Sequence, residues 1–227
     1  MPRNHRSDAD IAVQKAPRRP VARGRNEVRI IGGAWRGRKV RFPPVPGLRP
    51  SPDRVRETLF NWLAPVIRGV RCLDLFAGSG VLGFEALSRG AAAAVLVDRD
   101  RALADHLRAT AAQLGAEGAT VVQAEAERWL AVPAGPFGVV FLDPPFHSGM
   151  LPGLLRGLDR PGWLAPGAFV YIECAADEGL PALPEGWALH RQGRAGDVGY
   201  YLAIKNRDPA PGRTPDLAAG ARGGPPR

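Results

Sequence analysis

Apolar runs alternate with amphipathic stretches along the middle of the chain, and this alternation predicts the fold. Short, nearly continuous apolar runs are typical of strands that are buried on both faces of a parallel sheet. Five runs are predicted as such strands: Cys72–Phe76, Ala93–Val97, Ala119–Gln123, Val139–Leu142 and Phe169–Glu173. Helical stretches are predicted between them, over residues 80–89, 100–114, 124–131 and 150–158. Because strands and helices alternate, we predict a doubly wound α/β domain.

Two further apolar runs near the end of the chain predict a different connection. Trp187–Arg191 and Gly199–Ile204 are predicted as strands, and no helical stretch separates them. They therefore predict a β-hairpin at one edge of the sheet. We assign residues 65–206 to the α/β domain.

A shorter segment, residues 26–64, precedes this domain and has its own pattern. Arg29–Ile31 and Lys39–Phe42 predict two short strands around a glycine-rich turn. Ser51 is predicted to start a helix with a capping hydroxyl, followed by a proline and an acid in the first turn. Apolar spacing continues that helix to about Leu63. The segment is therefore predicted as a small extension made of a hairpin and a helix.

The composition is that of a soluble globular protein, because 45% of the 227 residues are hydrophobic and 23% are charged. No run of about 18 apolar residues occurs, so a membrane span is not expected. The first ten residues are rich in charge and lack an apolar segment, so a secretory signal is not expected either. Cys72 and Cys174 stand in separate apolar runs, which argues against a disulfide framework and a zinc site. We expect a cytoplasmic monomer that binds no metal.

Positive charge is concentrated at the front of the chain. Residues 1–60 hold 15 Lys and Arg against 5 Asp and Glu, whereas residues 61–206 hold 12 against 15. A basic segment on a slightly acidic domain predicts an anionic polymer as the partner. Residues 1–25 and 207–227 lack apolar periodicity and are predicted to be disordered. For the first of these tails, a solubilising role is an equal alternative.

A glycine-rich turn and two acids predict a cofactor site. Gly78, Gly80 and Gly83 form G-x-G-x-x-G between the first strand and a helix, where bare backbone lets a ligand approach closely. Asp98 lies 20 residues after Gly78, where such folds place a carboxylate for ribose hydroxyls. Asp74 would repel the pyrophosphate of NAD, but it suits a ligand with an ammonium and a sulfonium. The pattern therefore favours S-adenosylmethionine over NAD.

The fourth predicted strand ends in the most specific motif, Asp143, Pro144, Pro145 and Phe146. An exocyclic amino group of a nucleobase is a poor nucleophile, because its lone pair is delocalised into the ring. The Asp143 carboxylate and the Pro144 carbonyl can accept hydrogen bonds from the two N–H groups of this amino group. Both acceptors lie in a stiff, preorganised loop. Phe146 can stack on a base taken out of its helix. No Pro-Cys pair is present, so the covalent route to a pyrimidine carbon lacks its nucleophile.

These motifs carry a resemblance to known families. The stretches DLFAGSG, VDRD and DPPF are similar to those of class I S-adenosylmethionine-dependent methyltransferases that act on amino groups. The resemblance is narrowed from this broad class to one family by three longer stretches: RIIGGAWRGRKV, GLRPSPDRVRETLFNWL and DLFAGSGVLGFEALSRGA. Over about residues 28–205, the chain resembles the bacterial methyltransferases of a guanine N2 amino group in 16S ribosomal RNA. The resemblance implies a Rossmann-like, seven-stranded sheet with a reversed last strand. It also implies 16S rRNA as the partner, free or within an assembling small subunit.

The resemblance also implies roles for individual residues. The loop after the first strand would bind the methionine end of the cofactor, through Asp74, Phe76, Ala77, Gly78, Ser79, Gly80 and Gly83. Asp98 would hold the ribose, and Glu125 with Ala126 would contact the adenine, although related enzymes often have Asp or Asn at the adenine position. The target base would lie against Asp143 to Phe146.

Basic residues around Gly32-Gly33 and in the following helix predict an RNA-binding surface, since Lys and Arg contact phosphates. The candidates are Arg29, Trp35, Arg36, Arg38, Lys39, Arg49, Arg54 and Arg56. Trp35 either stacks on an unpaired base or anchors the hairpin to the main domain. For the arginines, the alternative is a solvated surface without a partner.

Other functions fit parts of the same pattern. N6-adenine methylation of DNA or RNA uses the same chemistry, but it usually needs a larger base-reading domain. Enzymes that methylate a protein glutamine usually have Asn at the position of Asp143, which argues against this alternative. A non-catalytic RNA-binding assembly factor that holds the cofactor is the alternative from outside the enzymes.

Overall fold

The computed structural model describes residues 26–45 and 50–206. The predictions for residues 1–25, for residues 207–227 and for Arg49 lie outside the described residues. None of the helices in the described ranges is long and apolar enough to cross a membrane.

A mixed sheet of seven strands forms the centre of the molecule, and a two-stranded hairpin precedes it. The strands are β1 Glu27–Arg29, β2 Lys39–Arg41, β3 Arg71–Asp74, β4 Ala93–Asp98, β5 Ala119–Gln123, β6 Phe137–Leu142, β7 Leu164–Ala175, β8 Trp187–Ala195 and β9 Val198–Lys205. The helices are α1 Asp53–Leu63, α2 Val81–Ser88, α3 Arg101–Leu114, α4 Ala126–Trp129 and α5 Leu151–Asp159.

The strand order of the main sheet is β5-β4-β3-β6-β7-β9-β8. Strands β3 to β7 run parallel, and β9 is antiparallel to both of its neighbours, β7 and β8. This arrangement confirms the predicted doubly wound α/β fold and its reversed last strand. The hairpin of β8 and β9 lies at the sheet edge, as the missing helix between them predicted.

Helices cover both faces of the sheet, which explains why its central strands, β4, β3, β6 and β7, are almost continuously apolar. Helices α1 and α2 pack on one face, around Phe141 and Tyr171, while α5 packs on the other face, around Val140 and Ile172. Alternate residues of a strand point to opposite faces, so consecutive residues of β6 and β7 pack against the helices on opposite sides of the sheet.

The N-terminal hairpin packs on the same hydrophobic core as the first face of the sheet. Val28, Ile30 and Val40 are buried in that core together with residues of α1 and α2. The hairpin is also fixed by backbone contacts, because the Ile31 N–H donates to Glu85 Oε2 at 2.8 Å. The hairpin and helix α1 thus share one core with the α/β domain, and a separate role of residues 26–64 in RNA binding is a proposal.

Most of the predicted strands have different bounds in the structure, and for two of them the cause is visible. The first strand of the hairpin covers Glu27–Arg29 instead of Arg29–Ile31, because the backbone beyond it turns towards α2. The strand predicted over Phe169–Glu173 is longer and covers Leu164–Ala175. Pro166 and Gly167 interrupt its apolar run near the start, so the sequence pattern showed only its centre.

The predicted helix start at Ser51 is wrong in its capping residue. Helix α1 begins at Asp53, with Pro52 at the capping position and no side-chain cap. The Ser51 hydroxyl is buried and donates instead to Glu173 Oε1, at 2.6 Å. The residue therefore connects the extension to the end of β7.

Candidate active site

The candidate chemical residues meet at the carboxyl edge of the sheet, because the strands that carry them run parallel. Asp74 ends β3, Asp98 ends β4, Asp143 follows β6, and Glu173 lies near the end of β7. Strands β4 and β5 lie on one side of β3, and the later strands β6 and β7 lie on its other side. The direction in which strands are added to the sheet therefore reverses at β3. In open α/β sheets, ligands bind in the crevice at such a switch point.

The loop between β3 and α2 needs its glycines for conformation and for packing. Gly78 and Gly80 have positive φ angles of 53° and 78°, which favour glycine. A Cβ at Gly80 would lie 2.4 Å from Leu107 Cδ2 and 2.6 Å from Phe84 Cε2. Gly83 lies within α2, where a Cβ would meet Leu96 at 3.0 Å. The glycines therefore bring bare backbone and a helix N-terminus to the crevice.

Asp74 is buried beside this loop. Its Oδ2 accepts the backbone N–H of Gly83 at 3.0 Å. Burial, with a smaller contribution from the nearby charges of Asp98 and Glu173, raises the pKa of Asp74 to about 7, although the Gly83 hydrogen bond opposes the shift. A buried acid that is costly to ionise is stabilised by a cationic ligand. The position fits an ammonium or a sulfonium better than a phosphate.

Asp98 fixes the glycine loop to the end of β4. Its Oδ2 accepts from the Gly78 N–H, and its Oδ1 accepts from the Asp100 N–H, both at 2.8 Å. Burial raises its pKa, and the two backbone donors oppose the shift. The sequence predicted Asp98 as a ligand-binding acid, but its contact with Gly78 arises only in three dimensions.

The remaining predicted cofactor residues lie along the same edge. Ala77 and Ser79 are buried in the glycine loop, and Phe76 is half-buried there. Glu125 is exposed just before α4, and Ala126, the first residue of that helix, is buried. The structure brings this whole set to the carboxyl edge, but their contact with a cofactor remains a proposal.

The loop after β6 carries Asp143, Pro144, Pro145 and Phe146. The register of β6 with β7 pairs Leu142 with Ile172, so Asp143 follows beside Glu173. Burial raises the pKa of Asp143 well above its usual value, and the charges of Glu173 and Asp74 add to the shift. Phe146 is 40% exposed at a cavity of about 170 Å³ that Pro144 and Pro145 also line. An exposed aromatic ring beside an acceptor pair can bind a flat ligand with amino groups.

The end of this loop is attached to the segment after β7. The His147 backbone, at a φ of 58°, donates its N–H to Glu178 Oε2 at 3.1 Å. The same carboxylate oxygen accepts from the Ala175 N–H at 3.3 Å. Glu178 therefore holds the two loops that form the cavity.

Glu173 is a candidate functional residue that the sequence reasoning missed. It is 3% exposed, and its Oε1 accepts hydrogen bonds from the Ser51 and Tyr171 hydroxyls, both at 2.6 Å. Burial raises its pKa, and the two hydroxyl donors oppose the shift. The available signal was an acid within the otherwise apolar strand segment V-Y-I-E-C-A, which was interpreted only as part of a strand.

Most of the predicted RNA-binding residues are exposed on the extension. These are Arg29, Arg36, Arg38, Lys39 and Arg54. Two of them have carboxylate partners: Lys39 Nζ lies 2.9 Å from Glu27 Oε1, and Arg29 Nη2 lies 4.0 Å from Asp53 Oδ2. Trp35 is half-buried against the core, which supports the anchoring alternative.

Arg56 is a correction to the predicted set, because its side chain is fully buried and cannot reach a phosphate. Its guanidinium donates to the Arg29 carbonyl at 3.0 Å and to the Ser51 carbonyl at 3.2 Å. It also lies 3.6 Å from Glu85 Oε2 and pairs with Asp53 at the start of α1. Arg56 therefore connects α1 to the N-terminal hairpin and to α2.

We expect the stability of the free protein to fall as the pH rises from about 4 to 8. Asp74 ionises near pH 4 in the unfolded chain and near pH 7 in the folded chain. The folded state therefore binds more protons in this interval, and its free energy of unfolding decreases with pH. Asp74→Asn should reduce this loss by an amount on the order of 3 kcal/mol, measured by denaturant unfolding at pH 5 and pH 8.

Asp197→Asn is the matched control for that experiment. Asp197 is an exposed acid in the turn between β8 and β9, so its replacement should leave the pH profile unchanged. Equal pH dependence in wild type and Asp74→Asn would contradict the account of Asp74.

No cluster of three or more His, Cys, Asp or Glu suited to a metal ion occurs in residues 26–45 and 50–206.

The strand order, the glycine loop and the adjacent acids define a class I methyltransferase fold. A profile of the family described as "Conserved hypothetical protein 95" matches residues 28–204, and the chain belongs to this family. The chain is 51% identical over 185 residues to ribosomal RNA small subunit methyltransferase D of Escherichia coli, across 82% of this chain and 93% of that protein. These similarities confirm the family resemblance found in the sequence.

A second relative and a solved structure agree with this assignment of the chain to the family. The chain is 44% identical to ribosomal RNA small subunit methyltransferase D of Haemophilus influenzae, over 81% of this chain and 95% of that one. A solved structure named "Putative methyltransferase yhhF from Escherichia coli" superposes with a TM-score of 0.74 at 50% identity. It covers 79% of this chain and 98% of the other.

Proposed function

We propose that the protein transfers a methyl group from S-adenosylmethionine to the N2 amino group of a guanine in 16S ribosomal RNA. The observation that carries the proposal is the rigid Asp143 to Phe146 loop beside the glycine loop of a class I methyltransferase fold. The names of relatives that align over most of the chain, which describe small-subunit rRNA methyltransferases, support RNA as the substrate class.

The residues around the glycine loop fit this cofactor. Asp74 would face its cationic methionine end, against bare backbone supplied by Gly78 and Gly80. Asp98 would hold the ribose hydroxyls, and Glu125 with Ala126 would border the adenine. The rest of the loop, Phe76, Ala77, Ser79 and Gly83, would shape the same crevice. When bound, S-adenosylmethionine supplies a methyl group activated by its sulfonium charge.

The loop after β6 would prepare the amino group for attack. The Asp143 carboxylate and the Pro144 carbonyl accept its two N–H groups, which localises the lone pair on the nitrogen as it becomes tetrahedral. Pro145 stiffens the loop, and Phe146 stacks on the flipped base. Asp143 needs no unusual basicity, because the nitrogen becomes acidic once it carries the methyl group.

Cofactor binding would also tune Asp143. Neighbouring acids and burial raise the pKa of Asp143 in the free protein. A cation in the adjacent crevice favours the ionised form of each nearby carboxylate. Asp143 would therefore become a better acceptor when the methyl donor is present.

The exposed basic residues of the extension would hold the RNA. Arg36 and Arg38 lie in the loop that connects β1 and β2, and Arg54 lies in the first turn of α1. We expect Arg36→Ala with Arg38→Ala to weaken RNA binding and to reduce the salt dependence of log K by a slope of about 2, because two phosphate contacts are lost. Filter binding at several salt concentrations measures this, and calorimetry should show unchanged cofactor affinity. An unchanged slope would support the alternative of a solvated surface.

Two experiments separate this proposal from the non-catalytic alternative. Labelled S-adenosylmethionine is incubated with unmethylated small-subunit rRNA, both free and within assembled subunits, and cofactor binding is measured in parallel. The proposal predicts label in the RNA, and the better substrate identifies free or assembled RNA as the partner. Cofactor binding without label in either RNA would favour the RNA-binding assembly factor.

A further inference from the structure

A cavity of about 170 Å³ lies between the loop after β6 and the segment after β7. Phe146 and the two prolines of the motif line one side, and Glu173 with Cys174 lines another. The cavity is therefore continuous with the residues that are proposed to hold the target base. Among these lining residues, Glu173 has a side chain that is almost fully buried and carries an acidic group.

The two carboxylate oxygens of Glu173 have different surroundings. Oε1 accepts from two hydroxyls, those of Ser51 and Tyr171, which together fix the orientation of the group and stabilise its negative charge. Within the described residues, no donor reaches Oε2. Because Glu173 lines the cavity, Oε2 is the acceptor it can offer to a ligand there.

The position of this acceptor relative to Asp143 follows from the sheet. Leu142 pairs with Ile172, so Asp143, which follows β6, comes next to Glu173 of β7. Glu173 lies on the same face of β7 as Tyr171, which packs in the core with Phe141. Burial and the charge of Glu173 raise the pKa of Asp143, as expected for two carboxyl groups that lie near each other. The site thus presents two carboxylates side by side.

Only one of the nucleobases with an exocyclic amine matches two adjacent acceptors. In guanine the N2 amino group stands next to N1–H, a second donor. In adenine and cytosine the atom beside the amino group is a ring nitrogen with a lone pair, which a carboxylate repels. A flipped base is read by hydrogen bonds to this edge.

Resting on the proposed function, we propose that Glu173 selects guanine by accepting N1–H through Oε2 while Asp143 accepts from the amino group. Ser51 and Tyr171 are positioning residues that hold Oε1. Glu173 would explain how a chain without a large base-reading domain distinguishes guanine from adenine. A site that hydrogen-bonds a substrate donor rejects the analogue that lacks it, because its own polar group is then left unpaired.

The test compares guanine with 2-aminopurine, which keeps the N2 amino group but has a lone pair at N1. Small-subunit RNA is ligated from fragments with either base at the methylated position, and is used free and reconstituted into subunits. Wild type should methylate the guanine RNA faster by a factor of about 100 or more in kcat/KM. Glu173→Gln keeps an oxygen for the two hydroxyls and turns an NH2 group towards the base. It should lower transfer to guanine and shrink the preference by at least about tenfold.

Ser51→Ala is the matched variant, because it removes one donor to Oε1 and leaves a carboxylate facing the cavity. It should keep the preference for guanine, even if transfer to both bases slows. The proposal would be overturned if Glu173→Gln lowered the rate of methyl transfer to both bases equally, or lowered neither rate. Wild-type label in a nucleoside other than N2-methylguanosine would instead refute the proposed function itself, so the two failures are distinguishable.

Discussion

Asp143→Ala should still bind S-adenosylmethionine, with a loss of affinity far smaller than its loss of methyl transfer, which should be about 10³-fold slower. The reason is that Asp143 lies outside the glycine loop, beside Glu173 at the end of β6. Its carboxylate is the acceptor that the amino group needs as its nitrogen becomes tetrahedral, and a preorganised group of this kind acts mainly in the transition state. Calorimetry measures the cofactor affinity, and single-turnover transfer to small-subunit RNA measures the rate.

Asp177→Ala is the control for this variant. Asp177 is an exposed acid in the segment after β7, near the same edge of the sheet. Its removal should leave both affinity and rate close to those of wild type. Wild-type transfer by Asp143→Ala would contradict the mechanism proposed for the amino group.

Arg56→Leu should lower the free energy of unfolding by about 3–5 kcal/mol, since it removes one partner of a fully buried ion pair. Glu85 keeps its contact with Arg89 at 2.7 Å, but it loses the guanidinium that connects it to the extension. For a chain of this size, the thermal midpoint should fall by roughly 6–20 °C. Thermal and denaturant unfolding measure the effect.

Arg54→Ala is the matched control, two residues away on the same helix. Arg54 is exposed, so its removal should change stability by no more than about 0.5 kcal/mol and should weaken RNA binding. The salt dependence of RNA binding should be unchanged in folded Arg56→Leu. The opposite pattern, a stable Arg56→Leu protein with a shallower salt dependence, would show that Arg56 contacts phosphate.

These two arginines illustrate what the sequence could predict and what it could not. Both carry the same charge in the same helix, and the charge pattern predicts both as phosphate ligands. Their difference depends on Glu85, which lies 29 residues after Arg56 and is brought to it by the packing of α1 against α2. Charge pattern alone carries no information about such a tertiary partner.

The candidate site divides in the same way. The glycine loop and the Asp143 to Phe146 motif are local, and their positions at strand ends follow from the apolar pattern. Glu173 becomes part of the site only through the pairing of β6 with β7 and through the Ser51 hydroxyl, which comes from the extension. Serine before a proline is a common helix start, so the local pattern favoured capping over this long-range hydrogen bond.

The identity of the methylated nucleoside tests the central claim most directly. Unmethylated small-subunit RNA that has been incubated with the protein and labelled S-adenosylmethionine is digested to nucleosides and separated by liquid chromatography. The account predicts that the label appears in N2-methylguanosine. Label in N6-methyladenosine would contradict it, because the same acceptors would then be acting on a base without N1–H.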